Sequence, residues 1–227
     1  MLGRALRFPL AGDDGLRSVV LGGICSFLGV LILPTVLVLG YYLRAGAAGA
    51  AGDDEAPPFD DWTGLFVDGL KSLLVLIGYL LVPLAVFGAA IVVGGPGPPS
   101  APVAGINVLG AAVGGWGTIL LVIAMYLLPA GLISLARTNS IRAAFDIATI
   151  GRAALSADYF VAGLLAILLT LLVGVLTVVL TALTFGLFSL LSGFVQFYTQ
   201  VAFFYLFGLG YGRALGGDMP GAPKDRA

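Results

Sequence analysis

Three long stretches without a charged residue constrain this chain more than any other feature. They cover residues 18–43, 72–136 and 159–212, and contain 26, 65 and 54 residues. A helix needs about 20 apolar residues to cross the hydrocarbon core of a bilayer. The first stretch therefore holds at least one membrane-spanning helix, and each of the others is long enough for more than one.

The second stretch divides at a segment rich in glycine and proline, residues 94–105. Residues of these types at such density do not continue a helix. We therefore predict one span at residues 72–93 and another at 116–136. Residues 107–115 between them are apolar but rich in glycine, and we expect them to be interfacial or outside the membrane.

The third stretch is too long for one span and contains no proline. We predict a turn at Thr184-Phe185-Gly186, because glycine readily adopts the backbone conformation that ends a helix. The turn would separate a span at residues 159–183 from one at 187–212.

The first stretch allows two interpretations. It is either one span from Ser18 to Leu43, kinked at Pro34, or two short helices that meet at Pro34, a residue favoured at the start of a helix. The second of these helices could extend through the small residues 45–51. With two helices, all eleven Lys and Arg residues lie on one side of the membrane, as the positive-inside rule favours.

The predicted fold is thus an all-α transmembrane bundle of about six membrane segments, or five with the kinked span. We expect residues 1–213 to form a single integral membrane domain and residues 214–227 a short polar tail. The protein is predicted to be multi-pass in the cell membrane, with the lipid bilayer as its partner. Both termini and the charged loops are expected in the cytoplasm.

Two segments on the charged side have the spacing of amphipathic helices that lie on a membrane. The first covers residues 59–70 and begins beside Asp60 or Asp61, either of which can cap its N-terminus. The second covers residues 141–153. The predicted apolar faces are Phe59, Trp62, Leu65, Phe66 and Leu70 in the first, and Ile141, Ala144, Phe145 and Ala148 in the second.

Composition excludes several classes of function. Charged residues make up 10% of the chain, against about 25% in a soluble domain. Histidine is absent and Cys25 is the one cysteine, which excludes a Ser-His-Asp triad and a Cys/His zinc site. A net charge of −1 provides no basic face for nucleic acid.

We therefore predict no enzymatic activity and no cofactor. An acidic cluster lacks the ligand spacing of a calcium loop, so we interpret it as a solvated loop and predict no metal site. Its members are Asp53, Asp54, Glu55, Asp60 and Asp61.

Four segments carry a family resemblance: FPLAGDDGL from Phe8, PPFDDWTGLFVDGLK from Pro57, YLLPA from Tyr126 and AAFDI from Ala143. With them the chain resembles, over nearly its whole length, a domain-of-unknown-function family of polytopic membrane proteins found mostly in haloarchaea. The resemblance implies an integral membrane protein of a salt-loving archaeon. It supplies no catalytic residues.

The last predicted span carries the candidate site, a stripe of polar side chains at helical spacing. We expect its amides, Gln196 and Gln200, to point into the bundle and meet Thr170, Thr177 and Thr181, because an unpaired amide in hydrocarbon is costly. The stripe is either structural, through hydrogen bonds between helices, or the lining of a substrate path. Its members are Ser189, Ser192, Gln196, Thr199 and Gln200.

Small residues on three predicted segments allow helices to approach closely. They serve packing within the chain or, alternatively, contacts in a homo-oligomer or with an unknown membrane partner. The favoured function is a non-catalytic scaffold or membrane-support protein, and the alternative is a small transporter or channel that uses the polar face of the last span. The small residues are Gly22, Ser26 and Gly29, the pair Gly110 and Gly114, and the pair Gly208 and Gly212.

Overall fold

A computed structural model describes residues 1–12, 14–28, 32–95 and 107–216. Every regular element in these ranges is helical, which confirms the all-α prediction. Predictions on Gly29, on most of the glycine- and proline-rich segment and on the tail beyond residue 216 lie outside the described residues. The helices are α1 Leu2–Arg7, α2 Gly15–Phe27, α3 Ile32–Ala51, α4 Trp62–Gly94, α5 Val108–Thr138, α6 Ile147–Ala154, α7 Ala157–Leu183 and α8 Ser189–Leu215, with short 3-10 turns at Phe8–Leu10 and Ile141–Phe145.

The first uncharged stretch forms two helices, so the single kinked span is wrong. Helix α2 ends at Phe27 and α3 begins at Ile32, with Pro34 in its first turn. Helix α2 has 13 residues and is about 20 Å long, less than the hydrocarbon core of about 30 Å. Five helices are long and apolar enough to cross a membrane, namely α3, α4, α5, α7 and α8. The described chain thus has five candidate spans and one shorter apolar helix, α2.

Two predicted boundaries are wrong because helices start earlier than expected. Residues 62–70 are not a separate interfacial helix but the beginning of the 33-residue α4, which Asp61 caps by accepting the Gly64 N–H at 2.9 Å. No residue between Leu70 and Ser72 interrupts the helix. Helix α5 likewise starts at Val108 rather than near residue 116, since the Asn107 side chain accepts the N–H of Gly110 at 2.9 Å.

The turn between α7 and α8 forms where it is predicted. Gly186 has a φ of +91°, in the left-handed region that favours glycine. Its N–H donates to the carbonyl of Thr181 at 2.7 Å, which satisfies one of the carbonyls left free at the end of a helix. The observed turn confirms both spans of the third stretch.

The second predicted amphipathic segment is helical but interrupted. The 3-10 turn Ile141–Phe145 ends at Asp146, whose side chain caps α6 by accepting the N–H of Ala148 at 3.2 Å. Its buried residues are Ala144, Ile150, Ala153 and Ala154, whereas Ile141, Phe145 and Ala148 are exposed. Of the predicted apolar face, Ala144 therefore packs inside the protein, while Ile141, Phe145 and Ala148 stay on its surface, where contact with a membrane remains a prediction.

The chain divides into two compact units. The smaller unit, Leu74–Leu128, contains the second part of α4 and the first part of α5. In it the backbone at Gly117 lies against the ring of Phe87, and Gly114 faces Ala90. From one pair to the other the residue number rises in α4, from Phe87 to Ala90, and falls in α5, from Gly117 to Gly114. The two helices are therefore antiparallel there.

The larger unit, Met1–Leu73 with Pro129–Ala227, is organised around α8. This helix contacts α2, α3 and α7 over much of its length, and α1 and α6 over less. Helix α3 runs parallel to α8, because Tyr41 contacts Phe197 and Ala50 lies beside Gly212. Helix α7 is antiparallel to α8, as expected from the tight turn that joins them.

Helices α3 and α8 approach at Gly208. A Cβ atom there would overlap the carbonyl oxygen of Gly46 and lie 2.9 Å from the nitrogen of Ala50. A Cβ atom on Gly212 would overlap the carbonyl oxygen of Ala50 in the same way. Packing within the chain, the first alternative for this glycine pair, is confirmed.

Candidate functional site

The predicted polar stripe lies along the first half of α8, but its hydroxyls bond within α8 or to the turn that precedes it. Ser189 and Ser192 donate to the carbonyls of Gly186 and Ser189, each at 2.6 Å. Thr199 donates to the carbonyl of Val195 at 2.7 Å and is buried. These three hydroxyls therefore do not join α8 to another helix.

The inward orientation of the amides is wrong for Gln196, which is exposed, while Gln200 is half-buried. The reason lies in the packing of α2. Helix α2 contacts the face of α8 that carries Gly193 and Phe197, and this face excludes Gln196. Neither amide forms a hydrogen bond with another residue in the described part of the chain.

The expected threonine partners on α7 are also occupied locally. Thr170 and Thr177 donate to carbonyls one turn earlier, those of Ala166 and Val173, at 2.9 and 2.8 Å. Hydroxyls bonded in this way are satisfied inside one helix. The predicted hydrogen bonds between these threonines and the glutamines of α8 are not formed.

A charged group that the sequence analysis did not single out joins α3 to α4. Arg44 donates from Nε to Asp68 and from Nη2 to Asp61, both at 2.9 Å. The Arg44 and Asp68 side chains are only about a quarter exposed, at 26% and 25%. The Gly64 N–H and the Arg44 guanidinium lower the pKa of Asp61 below its ordinary value. Both carboxylates thus balance a charge inside a candidate span.

The N-terminal segment is held against the loop after α3 and the second half of α8. The Phe8 ring stacks on Tyr205 with centroids 3.9 Å apart, and the Tyr205 hydroxyl donates to the Asp53 carbonyl at 2.8 Å. Arg4 donates to the carboxylate of Asp54 at 2.8 Å, which raises the pKa of Arg4. The loop after α3, interpreted from sequence as a solvated acidic loop, therefore also has a structural role.

The segment that precedes α4 contributes Phe59 to the core of the protein. Phe59 is 3% exposed, and its ring centroid lies 5.1 Å from that of Tyr41 and 5.4 Å from that of Trp62. Trp62 is 45% exposed. Within the described residues, no group of three or more Asp, Glu, His or Cys side chains is placed to hold a metal ion.

A cavity of about 350 Å³ opens between the end of α5, helix α6 and the end of α8. We call it the arginine cavity, because Arg137 and Arg152 both line it. The sequence analysis missed this cavity, since its residues come from three separate segments. The one available signal was the run of Arg137, Arg142 and Arg152 with Asp146 as the single acid between them. The other lining residues are Ser134, Thr138, Ala143, Asp146, Thr149, Tyr211 and Leu215.

Comparison with known families identifies a match over most of the chain. The model of the family described as "Protein of unknown function (DUF4013)" matches residues 24–185. This chain belongs to that family. The match confirms the resemblance to a domain-of-unknown-function family and runs from the end of α2 to the turn before α8. The DUF4013 description states no activity, and no curated protein and no solved structure matches the chain.

Proposed function

We propose that this DUF4013 protein is a non-catalytic, multi-pass protein of the cell membrane that acts as a scaffold or membrane-support protein. The observation that carries the proposal is the surface of α7. Only 11% of the most apolar 18-residue stretch of α7 is buried inside the protein. The exposed side chains of this stretch are aliphatic, among them Leu168, Leu171, Leu172, Val175 and Val178. Such a surface is suited to contact with lipid and carries no group for chemistry.

The pairing of the charged side chains also supports this proposal. An ionisable residue inside a membrane span is a candidate for function by default, and Arg44 is such a residue in α3. Its guanidinium is already bonded to Asp61 and Asp68. A guanidinium that holds two helices together is suited to structure, and it remains protonated at any physiological pH, so it is unsuited to acid–base catalysis.

The alternative function, a small transporter or channel, depends on the polar face of α8. The hydroxyls of that face donate to carbonyls of α8 itself or of the turn before it, which favours a structural role for them. The discriminating experiment is a flux measurement on the full chain reconstituted in proteoliposomes, with ions and small solutes as probes. We expect no flux above that of protein-free vesicles. Flux that the substitution Gln196→Leu abolishes, with the same substitution leaving stability unchanged, would instead favour the transporter.

We also propose that both termini and the charged loops are cytoplasmic. In the larger unit, Arg4 bonds to the loop after α3, and Gly212 near the end of α8 lies beside Ala50 at the end of α3. The N-terminal segment and the end of α8 are thus at the same end of this unit, which supports one side for both termini. Reporter fusions at Met1 and Ala227 test the proposal, and signals from opposite sides of the membrane would refute it.

A further inference from the structure

We propose that the arginine cavity binds a phosphate group, carried either by the headgroup of an anionic phospholipid or by a small soluble phosphate compound. Two guanidinium groups line the cavity, those of Arg137 and Arg152. Guanidinium groups bind phosphate oxygens through paired, charge-assisted hydrogen bonds. The inference does not depend on the proposed scaffold role, because a transporter could carry the same site.

The polar groups of the cavity differ in depth. Tyr211 and Ser134 are 3% and 5% exposed, whereas Arg137 and Arg152 are exposed. The Ser134 hydroxyl donates to the carbonyl of Ala143 at 3.0 Å. The Tyr211 hydroxyl forms no hydrogen bond with any residue in the described ranges. It is therefore available to donate to an oxygen atom of a ligand in the cavity.

One carboxylate lines the same cavity and must be compatible with an anion. Asp146 accepts hydrogen bonds from the Thr149 hydroxyl at 2.6 Å and from the Ala148 N–H at 3.2 Å. The Thr149 hydroxyl is the main cause of its lowered pKa, and the charge of Arg152 adds to the effect. The carboxylate is thus bonded to the start of α6, and two arginines against one aspartate leave the cavity with a net positive charge.

Size and position agree with a headgroup ligand. A volume of about 350 Å³ lies at the lower end of the range for small-molecule sites, about 300–1,000 Å³. The cavity is at the charged end of α5, where a span ends and the amphipathic α6 begins. Basic pockets at the ends of transmembrane helices are typical sites for anionic lipid headgroups.

The test measures two probes on the full chain in detergent. Native mass spectrometry measures retention of phosphatidylglycerol against phosphatidylcholine, and calorimetry measures binding of inorganic phosphate. The variants are Arg137→Gln, Arg152→Gln and Tyr211→Phe. Arg142→Gln is the matched control, since it removes the same charge from the same surface but Arg142 does not line the arginine cavity. Thermal melting checks that every variant is folded.

We expect each variant of Arg137 and Arg152 to weaken binding about tenfold, the effect of one charge-assisted hydrogen bond. Tyr211→Phe should weaken it by about threefold without any change in charge, and Arg142→Gln by less than twofold. This pattern with phosphatidylglycerol identifies a lipid source, and the same pattern with inorganic phosphate alone identifies a soluble one. An equal loss in Arg142→Gln, or no binding of either probe by the folded wild-type protein, would overturn the proposal.

Discussion

The contact between α3 and α8 allows one prediction to be worked out from a pair of identical substitutions. Gly208 and Gly174 are both helical glycines, but a Cβ atom on Gly208 overlaps the backbone of α3, whereas Gly174 on α7 has nothing within 4 Å. Replacement by alanine improves helix propensity by up to about 1 kcal/mol at either position. At Gly208 the added atom also forces α3 and α8 apart, at a cost of about 1–3 kcal/mol.

Gly208→Ala should therefore be less stable than Gly174→Ala by about 1–3 kcal/mol, a factor of roughly 5 to 150 in the unfolding equilibrium. Reversible unfolding of the purified protein in mixed micelles with added denaturing detergent measures this difference. Equal unfolding midpoints for the two variants would refute the close contact. A change of oligomeric state in Gly208→Ala, without a change in the stability of the monomer, would instead place Gly208 between two copies of the chain.

Three further predictions concern single side chains. Tyr205→Phe removes a hydrogen bond to the Asp53 carbonyl and should lower the free energy of unfolding by about 0.5–1.5 kcal/mol; an unchanged midpoint in the same detergent titration would show that this bond does not hold the loop after α3 against α8. Because folding lowers the pKa of Asp61, its contribution is present above the ordinary pKa and is lost as the pH falls through the folded value. Melting temperatures should thus fall more steeply below about pH 4 in the wild type than in Asp61→Asn, where the pH-sensitive bond to Arg44 is absent, and parallel curves would contradict this. Gln196→Leu should change the free energy of unfolding by less than about 0.5 kcal/mol, as for other exposed positions. A loss above about 1 kcal/mol would instead indicate that Gln196 points into the bundle, as predicted from sequence.

The positions of the spans could be predicted because hydrophobicity and charge are local properties of the sequence. The turn at Gly186 was predicted correctly, since glycine there satisfies a requirement of the helix end itself. The start of α4 was not, because nothing in residues 62–72 indicates whether an amphipathic segment ends before the span or continues into it. Both alternatives have the same helical periodicity.

The orientation of α8 could not be predicted from its own sequence. The polar stripe lies next to the face of α8 that carries Gly193 and Phe197. The packing of α2 decides which of these two faces is buried. The cost of exposing an amide to hydrocarbon suggested that Gln196 would be inside, but this argument ignores which neighbour takes each face. The arginine cavity could not be predicted for a similar reason, because only the fold brings Arg137, Arg152 and Tyr211 together.

The central claim is that the charged segments lie at one face of the membrane and the turn between α7 and α8 at the other. Cys25 is the single cysteine, so Cys25→Ser provides a background for Ser140→Cys, on the charged side, and Phe185→Cys, in the fully exposed turn. A maleimide that cannot cross membranes should label intact cells at position 185, and at position 140 only after the membrane is permeabilised. Labelling of both positions in intact cells, or of position 140 alone, would contradict the claim.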